Sequence, residues 1–140
     1  MADTVASQTI LDGPKTAVMK FTNISDGTGE SAVTKVDVSA LTSGINGQAC
    51  YGININRIWW SSSVSSPTKP LLVEWDNSGT NPVAWVCDTS DDMDFGSIGT
   101  LQNTKATNYS GDVNINFSSV TNGDSAAIVI EFIKEYDAIS

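Results

Sequence analysis

The chain has 140 residues, 40% of them hydrophobic, and a net charge of -9 from 16 acidic and 7 basic residues. A chain of this length buries about two thirds of its unfolded surface in one soluble domain, and its negative surface repels phosphate backbones and anionic lipid, which disfavours nucleic-acid and membrane partners. Histidine is absent, so His-dependent triads, His zinc sites and His general bases are excluded.

Met1–Gln8 has neither a basic start nor a hydrophobic segment, so no export signal is expected and synthesis in a reducing cytoplasm is the default. Val5–Leu11 reads as a weak strand that stops at the turn Asp12-Gly13-Pro14. Residues 1–14 are therefore expected to form an N-terminal strand or arm, and residues 15–140 a single domain. Lys15–Ile24 alternates, with Ala17, Met19 and Phe21 on one face and Val18, Lys20 and Thr22 on the other. Ser25–Glu30 is rich in residues that tolerate positive φ. Ala32–Val38 then alternates again, placing Thr34, Val36 and Val38 opposite Val33, Lys35 and Asp37, so these two strands are expected to pair as a hairpin. One helical turn is expected at Val38–Leu41.

Gly52–Trp60 reads as a strand with a fault in it. Ile53 and Ile55 share a face, but strict alternation would put Arg57 with them and Ile58 on the other side. A β-bulge at Asn56-Arg57 would return Ile58 and Trp60 to the core face and turn Trp59 outward, beside the only arginine of the chain. Ser61–Pro70 follows as the longest expected loop. Leu71–Asp76 and Val83–Asp88 alternate on either side of Asn77–Pro82, which has turn chemistry and predicts a second hairpin. Leu71, Val73 and Trp75 share a face in the first of these, and Val83, Trp85 and Cys87 in the second. A short strand is expected at Met93–Ile98. Asp112–Ser118 sets Val113, Ile115 and Phe117 against Asn114 and Asn116. After the turn Asn122–Ser125, Ala126–Ile133 is largely apolar.

Eight or nine short strands with turns at this spacing predict an all-β fold, an antiparallel β-sandwich or jelly roll. No apolar stretch approaches the roughly 18 residues of a spanning helix. Cys50 and Cys87 sit in apolar strand contexts without a C-x-x-C spacing, and two buried free thiols are expected.

The candidate contacts are on surfaces. Trp59 is expected to be covered by loops of its own chain, to pack on another protein or to stack on a sugar, and with Arg57 it has the composition of an interface hot spot. Asn54 and Asn56 are spaced like Asn114 and Asn116, each pair on the polar side of an Ile-containing strand, and asparagine is a poor strand former. The pairs read as a solvated outer face or as a polar subunit interface. Asp88, Asp91, Asp92 and Asp94 could gather oxygen ligands for calcium but lack EF-hand spacing, so a solvated acidic loop is expected and no metal is assigned. Glu74 and Asp76 are a nominal glycosidase pair, a signal that any strand face produces by its roughly 7 Å repeat. The glycine segments Gly27–Gly29 and Gly96–Gly99 open no helix and bind no phosphate by the usual device. No enzyme activity and no cofactor is expected.

Thr9-Ile-Leu-Asp-Gly-Pro-Lys15 with Val18 and Lys20, Glu74-Trp-Asp76, Asp94-Phe-Gly-Ser-Ile-Gly-Thr-Leu-Gln-Asn103 and Ile128-Val-Ile-Glu-Phe-Ile-Lys134 occur in this order. Together they resemble small virion structural proteins of tailed bacteriophages, of the capsid decoration or cement type. The resemblance implies a β-rich, often trimeric protein that is made in the host cytoplasm, resides in the virion and braces the outer shell. Its partner would be the major capsid protein or another virion protein. Contacts are expected from Trp59, the Ser61–Pro70 loop and the N-terminal segment through Pro14. The alternatives are another virion part, such as neck, tail or fibre, and a carbohydrate-binding module in which Trp59 joins Tyr51 or Tyr109 as a sugar platform.

Overall fold

The computed structural model describes residues 4–26, 30–41, 47, 50–63, 71–78, 81–87, 90–96, 99–102, 109–117 and 123–136. Among these are nine strands: β1 (Thr4–Asp12), β2 (Thr16–Ile24), β3 (Glu30–Val36), β4 (Cys50–Ser63), β5 (Leu71–Asn77), β6 (Val83–Cys87), β7 (Ser90–Asp94), β8 (Tyr109–Phe117) and β9 (Ser125–Tyr136). They form two antiparallel sheets, one ordered β1-β2-β9-β4-β7 and the other β3-β8-β5-β6. Alternating strands leave each sheet with one apolar face, and stacking those faces removes both from water. The chain is an all-β sandwich. Ile53, Ile55 and Ile58 of β4, Ile130 and Phe132 of β9, and Ala17 of β2 meet Val73 and Trp75 of β5 and Val113 of β8 in the core.

The hairpin expected between β2 and β3 does not form. β2 pairs with β1 and β9, whereas β3 pairs with β8 in the other sheet. The connection crosses the sandwich, and positive-φ turn chemistry serves a crossing as well as a hairpin. The β5–β6 hairpin does form, with Val73 opposite Trp85. A register shift between Val73 and Glu74 moves Val83 off the core face, however, and Val83 is exposed. The short strand after it covers Ser90–Asp94 rather than Met93–Ile98, because β7 pairs with β4 only as far as Arg57. β4 itself continues through Ser63, three residues into the expected loop; residues 64–70 lie outside the described residues, as does Asp88 of the acidic cluster. The expected helical turn is a 3-10 turn at Val38–Ala40.

Cys50 and Cys87 are both buried and free. Burial pushes the Cys87 thiol up from 9.0 to about 12. The unfolded thiol ionises first, so the stability that the neutral buried thiol contributes is complete below about pH 9 and is lost as pH rises toward 12. In urea titrations between these limits, Cys87→Ala is expected to show a shallower fall in stability than the parent. Ellman's reagent at neutral pH is expected to react quickly with both thiols only after unfolding.

Candidate functional site

The β4 bulge organises the outer face of the five-stranded sheet. Pairing with β9 runs Ile55 opposite Phe132 and then Arg57 opposite Glu131, so Asn56 is the extra residue. Its carbonyl is not left bare: Asn56 O accepts from Phe95 N at 2.8 Å, and Ile55 exchanges two backbone bonds with Leu101. Beyond the bulge Ile58 returns to the core with no exposed surface. Trp60 packs against the core and meets Trp85 edge-on, with ring centroids 6.2 Å apart. Trp59 points the other way.

Trp59 is half-buried, and the Arg57 guanidinium lies 4.7 Å from its ring centre. Arg57 Nη2 in turn donates to Asp92 Oδ2 at 2.8 Å across the β4–β7 pair. A cation over an indole face contributes about 0.5–1 kcal/mol at exposed sites, and an exposed ion pair a similar amount at most. The chief effect is positional: the ring is braced from one side by an arginine that is itself held by a carboxylate. From the other side β9 contributes Ala127 and Val129, which with Ser61 and the two tryptophans line an open, shallow groove. Val129 stands opposite Trp59 and Ala127 opposite Ser61 in the register. Neither is among the contact residues that the sequence predicts. The available signal was the unbroken apolar run Ala126–Ile130, in which the phase that faces away from the core is apolar too.

The two asparagine pairs belong to different sheets, Asn54 and Asn56 to β4 and Asn114 and Asn116 to β8. On β8 each amide serves a carboxylate of the neighbouring β5. Asn114 Nδ2 donates to Asp76 Oδ1 at 2.8 Å, and Asn116 Nδ2 donates to Glu74 Oε2 at 3.3 Å. Asn81 Nδ2 reaches Glu74 Oε1 at 3.4 Å, and Ser110 Oγ donates to Asp76 Oδ2 at 2.6 Å. Asn114 is 1% exposed and Glu74 7% exposed, although both lie on the face away from the core. A carboxylate taken from water needs donors in return, which gives these asparagines a reason to sit in a strand. Nearby, burial first and then the charges of Asp37 and Asp76 raise the pKa of Asp112, while a bond from Val38 N–H opposes the rise. Glu74 and Asp76 are thus tied to amides and a hydroxyl, the setting of structural carboxylates.

Pro14 and Tyr51 lie apart from Trp59, whereas Asp92 of the acidic cluster stands opposite it in the β4–β7 register. Pro14 is exposed at the β1–β2 turn, next to Thr16, which pairs with Ile133 at the end of β9 distant from Ser125. Tyr51 lies at the start of β4, eight residues or roughly 27 Å of strand from Trp59, and its hydroxyl donates to Glu135 Oε2 at 3.3 Å. The side chain of Tyr109 is outside the described residues. Asp91, Asp92 and Asp94 fall on β7, where Asp92 takes Arg57 and Asp94 Oδ1 accepts from Gly96 N at 2.8 Å. Among the described residues no group of three or more His, Cys, Asp or Glu is placed to hold a metal ion.

No protein-family model and no curated protein sequence matches this chain. Among solved structures it is similar to a cupin domain from Bordetella pertussis Tohama I, at 9% identity over 96% of this chain and 97% of that one, with a TM-score of 0.36. It is also similar to the N-terminal cellulose-binding domain of Cellulomonas fimi β-1,4-glucanase C, at 8% identity over 97% and 90% of the two chains, with a TM-score of 0.21. Likenesses this distant carry no functional argument.

Proposed function

We propose that this chain is a non-enzymatic structural protein of a tailed-phage particle, a capsid decoration protein that attaches to the outer shell as a homotrimer. The observation that supports this reading is the Trp59 platform. An aromatic ring flanked by an arginine and two small apolar side chains, on the open face of a rigid sheet, is the composition of a protein–protein hot spot. Its partner would be the major capsid protein or another protein of the virion. Several subunits attached together multiply weak single contacts, so an oligomer bracing a lattice needs no deep pocket and no tight individual site. A sugar platform is less well served, because Arg57 covers one face of the Trp59 ring and Tyr51 is at the far end of the strand.

Trp59→Ala is expected to lower stability by no more than about 1–2 kcal/mol, since the ring is outside the core and loses mainly its cation contact. Loss of a hot-spot ring should weaken attachment by about 2 kcal/mol or more, which is roughly thirtyfold. Cryo-EM and mass spectrometry of the purified particle are expected to place the chain on the outer shell, with occupancy lost for the variant. Absence from the particle, or a position in neck, tail or fibre, would overturn the decoration role. Glycan-array binding by a monomer would favour a carbohydrate module instead.

A further inference from the structure

We infer that the Thr4–Thr9 part of β1 is a hinged strap that covers the edge of β2 and opens while the rest of the domain stays folded. Burial falls off abruptly between these two strands. On β2, Ala17, Phe21 and Asn23 are buried, whereas on β1 every side chain from Val5 to Leu11 is exposed. Ser7 stands opposite Phe21 and Val5 opposite Asn23 in the register. Strap and core residues therefore share one face of the sheet, and the cover given by the second sheet ends at β2. Among the described residues none of β1 belongs to the hydrophobic core, and its only strand partner is β2.

The strap is thus held chiefly by its backbone ladder. Opening exchanges bonds within the sheet for bonds to water, a small net loss for each, and returns conformational entropy to the freed residues. Little apolar surface is newly exposed, so the hydrophobic term that makes core strands open only with the whole domain is nearly absent. Two features stop the opening at Thr9. Thr9 pairs with Met19 and Leu11 with Val18, so Ile10 is an extra residue, and a bulge of this kind interrupts the ladder and bends the strand. Beyond it the chain is fixed. Asp12 holds the buried Lys134 ammonium, and Gly13 N donates to Thr16 O at 2.9 Å across the turn. The bulge is the hinge and the Asp12 end the anchor.

Swinging the strap away moves the edge of the sheet from β1 to β2. β2 is nine residues long and pairs with β9 without a register shift. A straight ladder edge of this kind accepts a further strand, which is the hazard that edge covers suppress. The strap guards this edge in the closed chain and uncovers it in the open one. The hinge is separate from the Trp59 platform and is measured on the free chain, so it stands or falls independently of attachment to a shell.

The test is hydrogen–deuterium exchange of the full chain, followed residue by residue by NMR. Amides of Thr4–Thr9 that bond to β2 are expected to exchange at least about a hundredfold faster than those of Ile128–Phe132 on β9, at rates that do not respond to guanidinium below the unfolding transition. The Gly13 amide, bonded to Thr16 beyond the hinge, should follow β9 instead. A second variant locks the strap. Gln8 and Lys20 stand directly opposite each other, and Gln8→Cys with Lys20→Cys, oxidised to a disulfide, should slow strap exchange by at least about tenfold, with reduction restoring it. Strap amides as protected as β9, a Gly13 amide that opens together with the strap, or a disulfide that leaves strap exchange unchanged would each overturn the inference.

Discussion

Gly111→Ala is expected to destabilise the chain by about 2–6 kcal/mol, the sum of left-handed backbone strain and the displacement of a packed neighbour, each of order 1–3 kcal/mol. Gly111 opens the buried part of β8 with φ +91, and a methyl group there would lie 2.1 Å from the carbonyl oxygen of Tyr51 and 3.1 Å from its carbon. These are backbone atoms of β4, adjacent to its first register shift at Cys50–Gly52, so no side chain can swing aside to admit the methyl. Gly123 provides the control. Its φ is +96, but nothing lies within 4 Å of the position its Cβ would take, so Gly123→Ala should cost the strain alone, about 1–3 kcal/mol. Guanidinium unfolding of the two variants separates the contributions. Equal midpoints would mean that the close approach of β8 to β4 contributes nothing.

Asp12→Ala is expected to cost about 3–5 kcal/mol, because it removes the carboxylate that accompanies a buried ammonium. Lys134 follows Ile128, Ile130 and Phe132 on the inner face of β9, and its side chain has 0% exposure, whereas that of Asp12 has 22%. The ion pair joins the end of the first strand to the end of the last, across 122 residues of sequence. An apolar replacement of both partners should recover much of the loss, since well-packed hydrophobic pairs often match or exceed buried ion pairs. Asp12→Leu combined with Lys134→Met is therefore expected to be more stable than Asp12→Ala. A double variant as unstable as the single one would show that Lys134 is held by something other than its charge partner.

Both effects depend on contacts between distant parts of the chain. In the sequence Gly111 stands before a strand and Lys134 at the end of an apolar run, and nothing local to either points to Tyr51 or Asp12. Local patterns were more informative. The phase slip in Ile53-Asn-Ile-Asn-Arg-Ile58 located the bulge, since a one-residue slip moves every later side chain to the other face. The slip also separated Trp60, packed on the core, from Trp59 under Arg57. The β5–β6 hairpin was legible because Asn77–Pro82 has turn chemistry between two apolar runs, whereas the register shift that takes Val83 off the core face left no trace in the all-apolar Val83–Cys87. The β2–β3 hairpin failed because Ser25–Glu30 has the same composition whether the chain turns back within a sheet or crosses to the other one.

The asparagine pairs show the same limit from the side of chemistry. Their spacing was visible, and so was the oddity of asparagine in a strand. Their partners were not, because Glu74 and Asp76 lie some forty positions earlier and become neighbours of Asn116 and Asn114 only through the β5–β8 register. Asp92 likewise looked like part of an acidic loop until β7 paired with β4 and brought it to Arg57.

What resided in the linear order was the all-β class, the apolar face of most strands, the bulge and the exclusion of histidine chemistry, since each follows from side-chain alternation or composition within a few residues. Strand order, the buried Lys134–Asp12 pair and the groove beside Trp59 came only with the folded chain. These depend on which strands share a hydrogen-bond ladder, a choice made by the combined burial of both sheets and left open by any single segment.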